Sequence, residues 1–357
     1  MFTPCTENLY SPPYIKVTGR SPFKAVNNAT VAMKTKYGYL PRITLFKALR
    51  RDGFQIFLKI EFSVPKILYG NNFDEVIDQD IENICIKLKD LLFNMGVIIR
   101  KTEYLKYALV STLHYSKNII LQDYSTPFLY LKEFQRADIS KIYDTNKTDF
   151  RNEGHAVKFH SNDYEVILYD KLKVLQQARK SEKRAVERDN YGQLNLLTNL
   201  RPVQPFEVLR IEVRFGSRRK IKQVFNKEGF KYKDLTFIEV FKKEYSRKLL
   251  MNTLIQIDNS IPAVLNSEPE SLEKFVIKLR LNNPNLNYSQ ILKIVGAKAL
   301  YTELGLRGFR DVTDKSNSTA WYRLKKQLKN LNFDKRDMQL CKIIDEIKNF
   351  KTVRLEE

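Results

Sequence analysis

Glu61, His114, Tyr169, Lys171 and Glu212 have the side chains that a phosphodiester-cutting centre needs. Each stands in a stretch that alternates between apolar and polar residues. Two carboxylates and an imidazole form an incomplete shell for Mg2+ or Mn2+, leaving positions for water and a phosphate oxygen. Such a metal polarises phosphorus and offsets charge in the transition state. A tyrosine beside it could attack phosphorus. A phenol with a pKa of about 10 is a reluctant nucleophile, and a metal and a nearby lysine would make it less so. Lys171 follows Tyr169 by two residues, so strand periodicity puts both on one face. Were these groups to meet, the reaction class would be phosphodiester transesterification through a phosphotyrosine, with water as the other nucleophile the residues allow.

The elements that would position these groups are legible as alternation. Residues 56–64 (IFLKIEFSV) place Ile56, Leu58, Ile60 and Phe62 on one side, and Lys59 and Glu61 on the other. Period two predicts a strand, which Pro65 ends. Residues 109–116 predict a second strand, with His114 in phase with Val110, Thr112 and Ser116. Residues 155–160 and 164–171 predict a β-hairpin turning at Ser161–Asp163, with Tyr169 and Lys171 on one face. A turn there would set His155 opposite Tyr169, a supporting position. Residues 208–215 alternate most cleanly: Leu209, Ile211, Val213 and Phe215 against Arg210, Glu212 and Arg214. Apolar faces this regular predict an α+β fold, a mainly antiparallel sheet with helices on one face. The polar face would then gather the chemical groups, provided the strands are neighbours.

Between the strands, residues 80–95 carry apolar residues at helical spacing, with Gly96 as a C-cap. Residues 138–154 read as a polar loop, and 172–188 as a highly charged helix. From Asp234 onward the pattern is helical, and over about 272–351 breaks are predicted at Asn283–Pro284, Gly296, Gly305 and Gly308. The polar stretch Asn266–Glu270, with Pro269, predicts a linker. That divides the chain into a nuclease-like domain, about 20–265, and a helical, helix-turn-helix-like domain, about 270–357. A length of 357 residues suits about two domains.

The formal charge of +21, from 62 Lys and Arg against 41 Asp and Glu, makes nucleic acid the expected partner. Arg218, Arg219, Lys220 and Lys222 are a candidate backbone-contact cluster, with Lys59, Arg210 and Arg214 beside the chemical groups. Residues 320–326 (AWYRLKK) could be a recognition helix with Arg323, Lys325 and Lys326 outward and Trp321 inward. Three distant cysteines exclude a disulfide framework and fit a reducing compartment. No run is apolar enough for a signal peptide or a membrane span, so a cytoplasmic location is expected.

The run Glu61–Asn72 (EFSVPKILYGNN) resembles the strand-and-turn signature of the gene II/X replication initiators of filamentous phages. So do Leu113–Asn118 (LHYSKN), Val166–Lys171 (VILYDK) and Leu209–Phe215 (LRIEVRF), in that family's order and at similar spacing. Lys293–Leu331 resembles its helical tail. The pair Tyr-Asp-Lys then Arg-x-Glu is also similar to rolling-circle plasmid initiators, whose tyrosine sits in a Tyr-x-Lys strand. The resemblance implies Tyr169 as nucleophile. It implies a rolling-circle replication initiator that binds a phage or plasmid origin in a bacterial host and nicks one strand. The freed 3′-hydroxyl then primes a host polymerase. A host helicase and a second copy of the chain are further partners the reading admits. Two features depart from those families. They often carry aspartate where this chain has His114, and the His-hydrophobic-His motif of many rolling-circle nucleases is missing. The alternative is a non-catalytic DNA-binding regulator of replication or transcription, which needs the charge but no metal shell. In that case Glu212 between two arginines would be an ordinary ion pair.

Overall fold

A computed structural model describes residues 3–4, 15–17, 24–27, 37–50, 53–121, 125–137, 139, 144–151, 154–174, 207–267, 271–313, 319–333 and 339–354. The fold is α+β, with antiparallel sheets and a helical C-terminal region. A four-stranded sheet runs β2 (Ile15–Val17), β3 (Lys24–Asn27), β4 (Arg42–Arg50), β5 (Gly53–Glu61). Helix α1 (Val64–Tyr69) follows; Pro65 in its first turn suits a helix start, and Gly70 (φ 71°) closes it. Helix α2 (Ile81–Asn94) follows the predicted periodicity and ends at Gly96 (φ 75°). A short pair joins β1 (Thr3–Pro4) to β6 (Val97–Ile98), and one turn of helix, α3 (Glu103–Lys106), leads to the second sheet.

That sheet has the order β7 (Leu113–Leu121), β11 (Glu207–Phe215), β10 (Tyr164–Asp170), β9 (Ala156–Ser161), β8 (Asp144–Arg151). Three of the four predicted chemical strands are therefore neighbours. The fourth is not: β5, which carries Lys59 and Glu61, belongs to the other sheet. Alternation reveals a strand's two faces but says nothing about which strand it pairs with. The polar stretch expected as a loop contains β8, an edge strand paired with β9 on one side. Of the charged helix expected over 172–188, residues from 175 onward lie outside the described residues.

Helices α4 (Pro127–Arg136), α5 (Arg218–Lys227) and α7 (Lys243–Asp258) cover the apolar face of the five-stranded sheet. Leu168, Leu209, Ile211, Val213 and Phe215 are buried there against Leu131, Phe134, Ile221, Phe225, Leu249 and Leu250. Phe225 meets Phe215, Phe230, Tyr232 and Tyr245 edge-on, a geometry aromatic rings favour. Between α5 and α7 lies the short α6 (Phe237–Val240).

The C-terminal region comprises α8 (Leu272–Asn282), α9 (Tyr288–Thr313), α10 (Thr319–Lys329) and α11 (Gln339–Asn349). The predicted break at Asn283–Pro284 separates α8 from α9, while Gly296 and Gly308 lie inside α9. Gly305 (φ 69°, ψ 174°) kinks α9. A side chain there would press on Arg136 at 3.0 Å, and Arg136 donates to the carbonyls of Tyr301 and Thr302. Only glycine meets both demands.

The buried apolar residues form two clusters. One joins Leu40, Ile43 and Ile67 to Leu88, Leu92 and Leu105. The other is continuous from Tyr115 to Phe350 and contains Val264, Leu265 and Phe275, which flank the predicted linker. The C-terminal helices thus share the sheet's core. Residues 268–270 of that linker lie outside the described residues. Among the described residues, no helix is long and apolar enough to cross a membrane.

Candidate functional site

The register of the second sheet assembles its polar face. Tyr169 pairs with Arg210, Ile167 with Glu212 and Glu165 with Arg214. On the other side of β11, Arg210 pairs with Asn118, Glu212 with Ser116 and Arg214 with His114. Every second residue of β7, β11 and β10 therefore contributes to one surface of Tyr, Glu, Arg, His, Ser and Asn.

Glu212 lies at its centre. Its Oε1 accepts from the Tyr169 hydroxyl and from Arg210 Nε, both at 2.8 Å. Its Oε2 accepts from Arg214 Nε at 3.0 Å and Nη2 at 2.5 Å. A carboxylate offers about four acceptor positions, and these four donors fill them. Burial alone would push the Glu212 carboxyl up. The two guanidiniums, aided by the Tyr169 hydroxyl, outweigh it and hold the pKa at about 2. The same burial, with Glu212 beside it, pushes the Tyr169 phenol above its ordinary value, against the opposing pull of Arg210.

One half of the face is covered. The turn Asn71–Glu75, after α1, docks on it. Arg210 Nη1 donates to the Asn72 carbonyl at 2.7 Å and to Asn118 Oδ1 at 3.0 Å, and Nη2 donates to Ser116 Oγ at 2.7 Å. Lys171 Nζ donates to the Asn72 side-chain oxygen, and Asn118 Nδ2 to the Phe73 carbonyl. Glu75 anchors the turn. Its carboxylate accepts from Lys117 Nζ at 2.5 Å and from the Asn118 and Val353 amides, while its own amide donates to the Val353 carbonyl. Arg210 and Lys171 are 6% and 2% exposed, which closes them to a DNA backbone. The expected role of Arg210 as a DNA contact is thus replaced by a buried, fully bonded one. Burial holds the Lys171 ammonium well below its ordinary pKa, with Arg210 and Lys66 adding to the effect.

The other half is open. His114 is exposed and Arg214 half-exposed. Crowding around the imidazole lowers the His114 pKa, and Arg214 lowers it further. Glu212, Glu165 and Glu61 pull the other way. Glu61 therefore reaches the electrostatic neighbourhood of His114 from the other sheet. Its own partners are Lys59 Nζ at 2.9 Å and, at 3.9 Å, Arg42. Glu165 at the far end bonds Lys158 at 3.0 Å and approaches His160 at 3.2 Å.

His155 does not support Tyr169. The hairpin loop has two residues, Asn162 and Asp163 (φ 56°), so Tyr164 pairs with Ser161 and Tyr169 with Ala156. A slip of one residue sends a side chain to the opposite face. His155 lies there, with Nδ1 3.3 Å from Asp170 Oδ2.

The expected metal shell of Glu61, His114 and Glu212 does not fit the arrangement present. Every lone pair of Glu212 that a metal would use is bonded, and Lys59 and Arg42 hold Glu61. Among the described residues, no three His, Cys, Asp or Glu side chains form a group able to hold a metal ion.

The basic cluster after β11 is the start of α5, capped by Ser217, whose hydroxyl accepts from the Lys220 amide at 3.3 Å. Arg219 and Lys222 are exposed, Lys220 is half-buried near Gln223, and Arg218 lies 3.9 Å from Asp234. In α10, Arg323 and Lys326 are exposed and Lys325 half-buried, while Trp321 is buried edge-on against Phe309.

Ser116, Asn118 and Asn72 escape the sequence reading as site residues. Ser116 lies in the predicted strand in phase with His114, and Asn118 continues that phase two residues further, a signal that a longer predicted strand would expose. Asn72 stands in a legible turn cluster, but nothing local ties it to Arg210, 138 residues away. A comparison with protein families, curated proteins and solved structures finds no match to this chain.

Proposed function

We propose that this chain is a rolling-circle replication initiator of a phage or plasmid, acting in the bacterial cytoplasm, that nicks one strand of a double-stranded origin with Tyr169. The observation that carries the reading is the Tyr169–Glu212 hydrogen bond, at the seam between a rigid, covered half and an open, cationic one. Glu212 orients the phenol, whose proton passes to solvent as the bond from Tyr169 oxygen to phosphorus forms. The bond from phosphorus to the 3′ oxygen breaks, and that oxygen leaves as a hydroxyl with a proton from solvent. Arg214, half-exposed, is placed to meet the charge on the phosphoryl oxygens. The exposed cations of α5 and α10 supply sequence-independent attraction to phosphates. A divalent metal would enter only after Arg214 released Glu212.

The test is covalent trapping. The full chain is incubated with supercoiled DNA of its own replicon, with and without Mg2+ or Mn2+. Tyr169→Phe is expected to abolish the nick and the protein–DNA adduct while origin binding persists, since one hydroxyl adds little to a many-phosphate interface. Full nicking by that variant would overturn the assignment.

The filled acceptor positions of Glu212 and the shielded phenol favour a second reading, a non-catalytic DNA-binding regulator. Tight origin binding by a wild-type chain that never nicks, in any of these conditions, would select it.

A further inference from the structure

The segment just before β7 carries a surface that neither the fold nor the candidate site uses. Tyr104, Tyr107 and Leu109 are 55%, 62% and 58% exposed. The two tyrosines stand three residues apart on α3 and its C-cap, a spacing that puts side chains on one side of a helix. Their base is firmly held. Leu105 is buried in the N-terminal core between them. The Tyr107 amide donates to the Glu103 carbonyl, and the Ala108 carbonyl accepts from the Phe237 amide. Leu109 bridges to Thr236, and the Val110 amide donates to the Leu235 carbonyl at 2.7 Å.

Cations flank these rings on two sides. Arg100 and Lys101 are exposed just upstream, and Lys233 is exposed three residues before the Leu109–Thr236 bridge. Lys106 is engaged by Glu82; of the other nearby acids, Glu239 is held by the Lys233 and Asp234 amides and the Thr236 hydroxyl, and Glu103 and Asp234 remain. Asp234 lies beside Arg218, at the start of the basic α5. From Leu109 the chain passes in five residues to His114, at the open half of the polar face. Exposed aromatic rings on a fixed base, rimmed by cations, form the arrangement that binds single-stranded nucleic acid by stacking bases and tracking phosphates.

We propose that Tyr104 and Tyr107 form a stacking platform for a single strand of nucleic acid entering the open half of the polar face. The proposal rests on the nucleic-acid part of the function above and not on nicking. A protein partner is the less favoured occupant, because the cations rimming the rings match phosphate better than an apolar surface.

The experiment measures binding of the full chain, without turnover, to an oligothymidylate of about 30 nucleotides and to a duplex of the same length. The Tyr104→Ala/Tyr107→Ala variant is expected to bind the single strand about tenfold or more weakly, the order that one base stack carries, with duplex affinity nearly unchanged. Tyr104→Phe/Tyr107→Phe keeps the rings and should retain single-strand affinity. Unchanged thermal melting of both variants shows that the fold is intact, as expected for exposed side chains. Wild-type single-strand affinity in the alanine variant, or equal loss on duplex, overturns the proposal. So does a self-association of the wild type that the alanine variant abolishes. Loss of single-strand affinity in a chain that never nicks would sustain the platform while refuting the nuclease.

Discussion

The two halves of the polar face are built from the same alternating strands, yet they do different work. At the covered end, Arg210 and Lys171 are buried under the turn Asn71–Glu75, and every Arg210 nitrogen has a partner. At the open end, Arg214 and His114 sit on β11 and its neighbour β7 and meet solvent. The cover, not the strand sequence, decides which cations are scaffold and which can touch a ligand. A buried, bonded guanidinium fixes Glu212, and a half-exposed one on the same carboxylate is free to exchange partners.

The comparison breaks most visibly through the two arginines. Arg210→Met should destabilise the chain by about 3–5 kcal/mol, because Glu212 and the Asn72 carbonyl are left without their partner inside the protein. Arg214→Met should cost less, about 1–3 kcal/mol, since it strips both donors from Oε2 of the buried Glu212 but at an end of the face that solvent reaches. Urea unfolding of both variants measures the difference, and equal losses would erase the distinction. Next, Asn72→Ala leaves the Lys171 ammonium without its side-chain acceptor, and a loss of about 1.5–3 kcal/mol is expected from the same measurement.

Acid gives a third probe. The Glu212 carboxyl is depressed, so its contribution is complete above the ordinary carboxylate range and fades as pH falls toward about 2. Wild-type stability should drop across that window, and Glu212→Gln should show a shallower acid limb in urea titrations at successive pH values. The smallest effect belongs to the surface of α5. Arg219→Ala with Lys222→Ala should leave stability within about 0.5 kcal/mol of wild type. The same pair should lower the salt slope of duplex binding by about one for each phosphate that the two cations neutralise in the wild type.

Much of the polar face is readable in the sequence. The phase of Arg210, Glu212 and Arg214 in VLRIEVRF, and of Tyr169 in YEVILYDK, survives unchanged, because a buried sheet face enforces period two. What the sequence does not reveal is long-range. β5 alternates as cleanly as β11, but it pairs with β4, so Glu61 approaches His114 across two sheets rather than within one. The hairpin is legible, but its loop is one residue shorter than expected, and that single step moves His155 to the opposite side. The burial of Arg210 depends on a turn far away in sequence, and no local pattern announces it. The C-terminal helices follow their predicted breaks at Asn283 and Gly305, while their sharing of the sheet's core follows from packing partners that periodicity does not name.

One clasp in this fold has a consequence in time. The turn over Arg210 and Lys171 is fastened by Glu75 to the backbone of Val353, and Lys117 donates to the Lys351 carbonyl beside it. A chain emerging from the ribosome holds its strands and its tyrosine long before that fastening exists. The cover over Arg210 and Lys171 can therefore be fastened only when nearly the last described residues have been synthesised, so the buried half of the polar face is among the last parts of the fold to close.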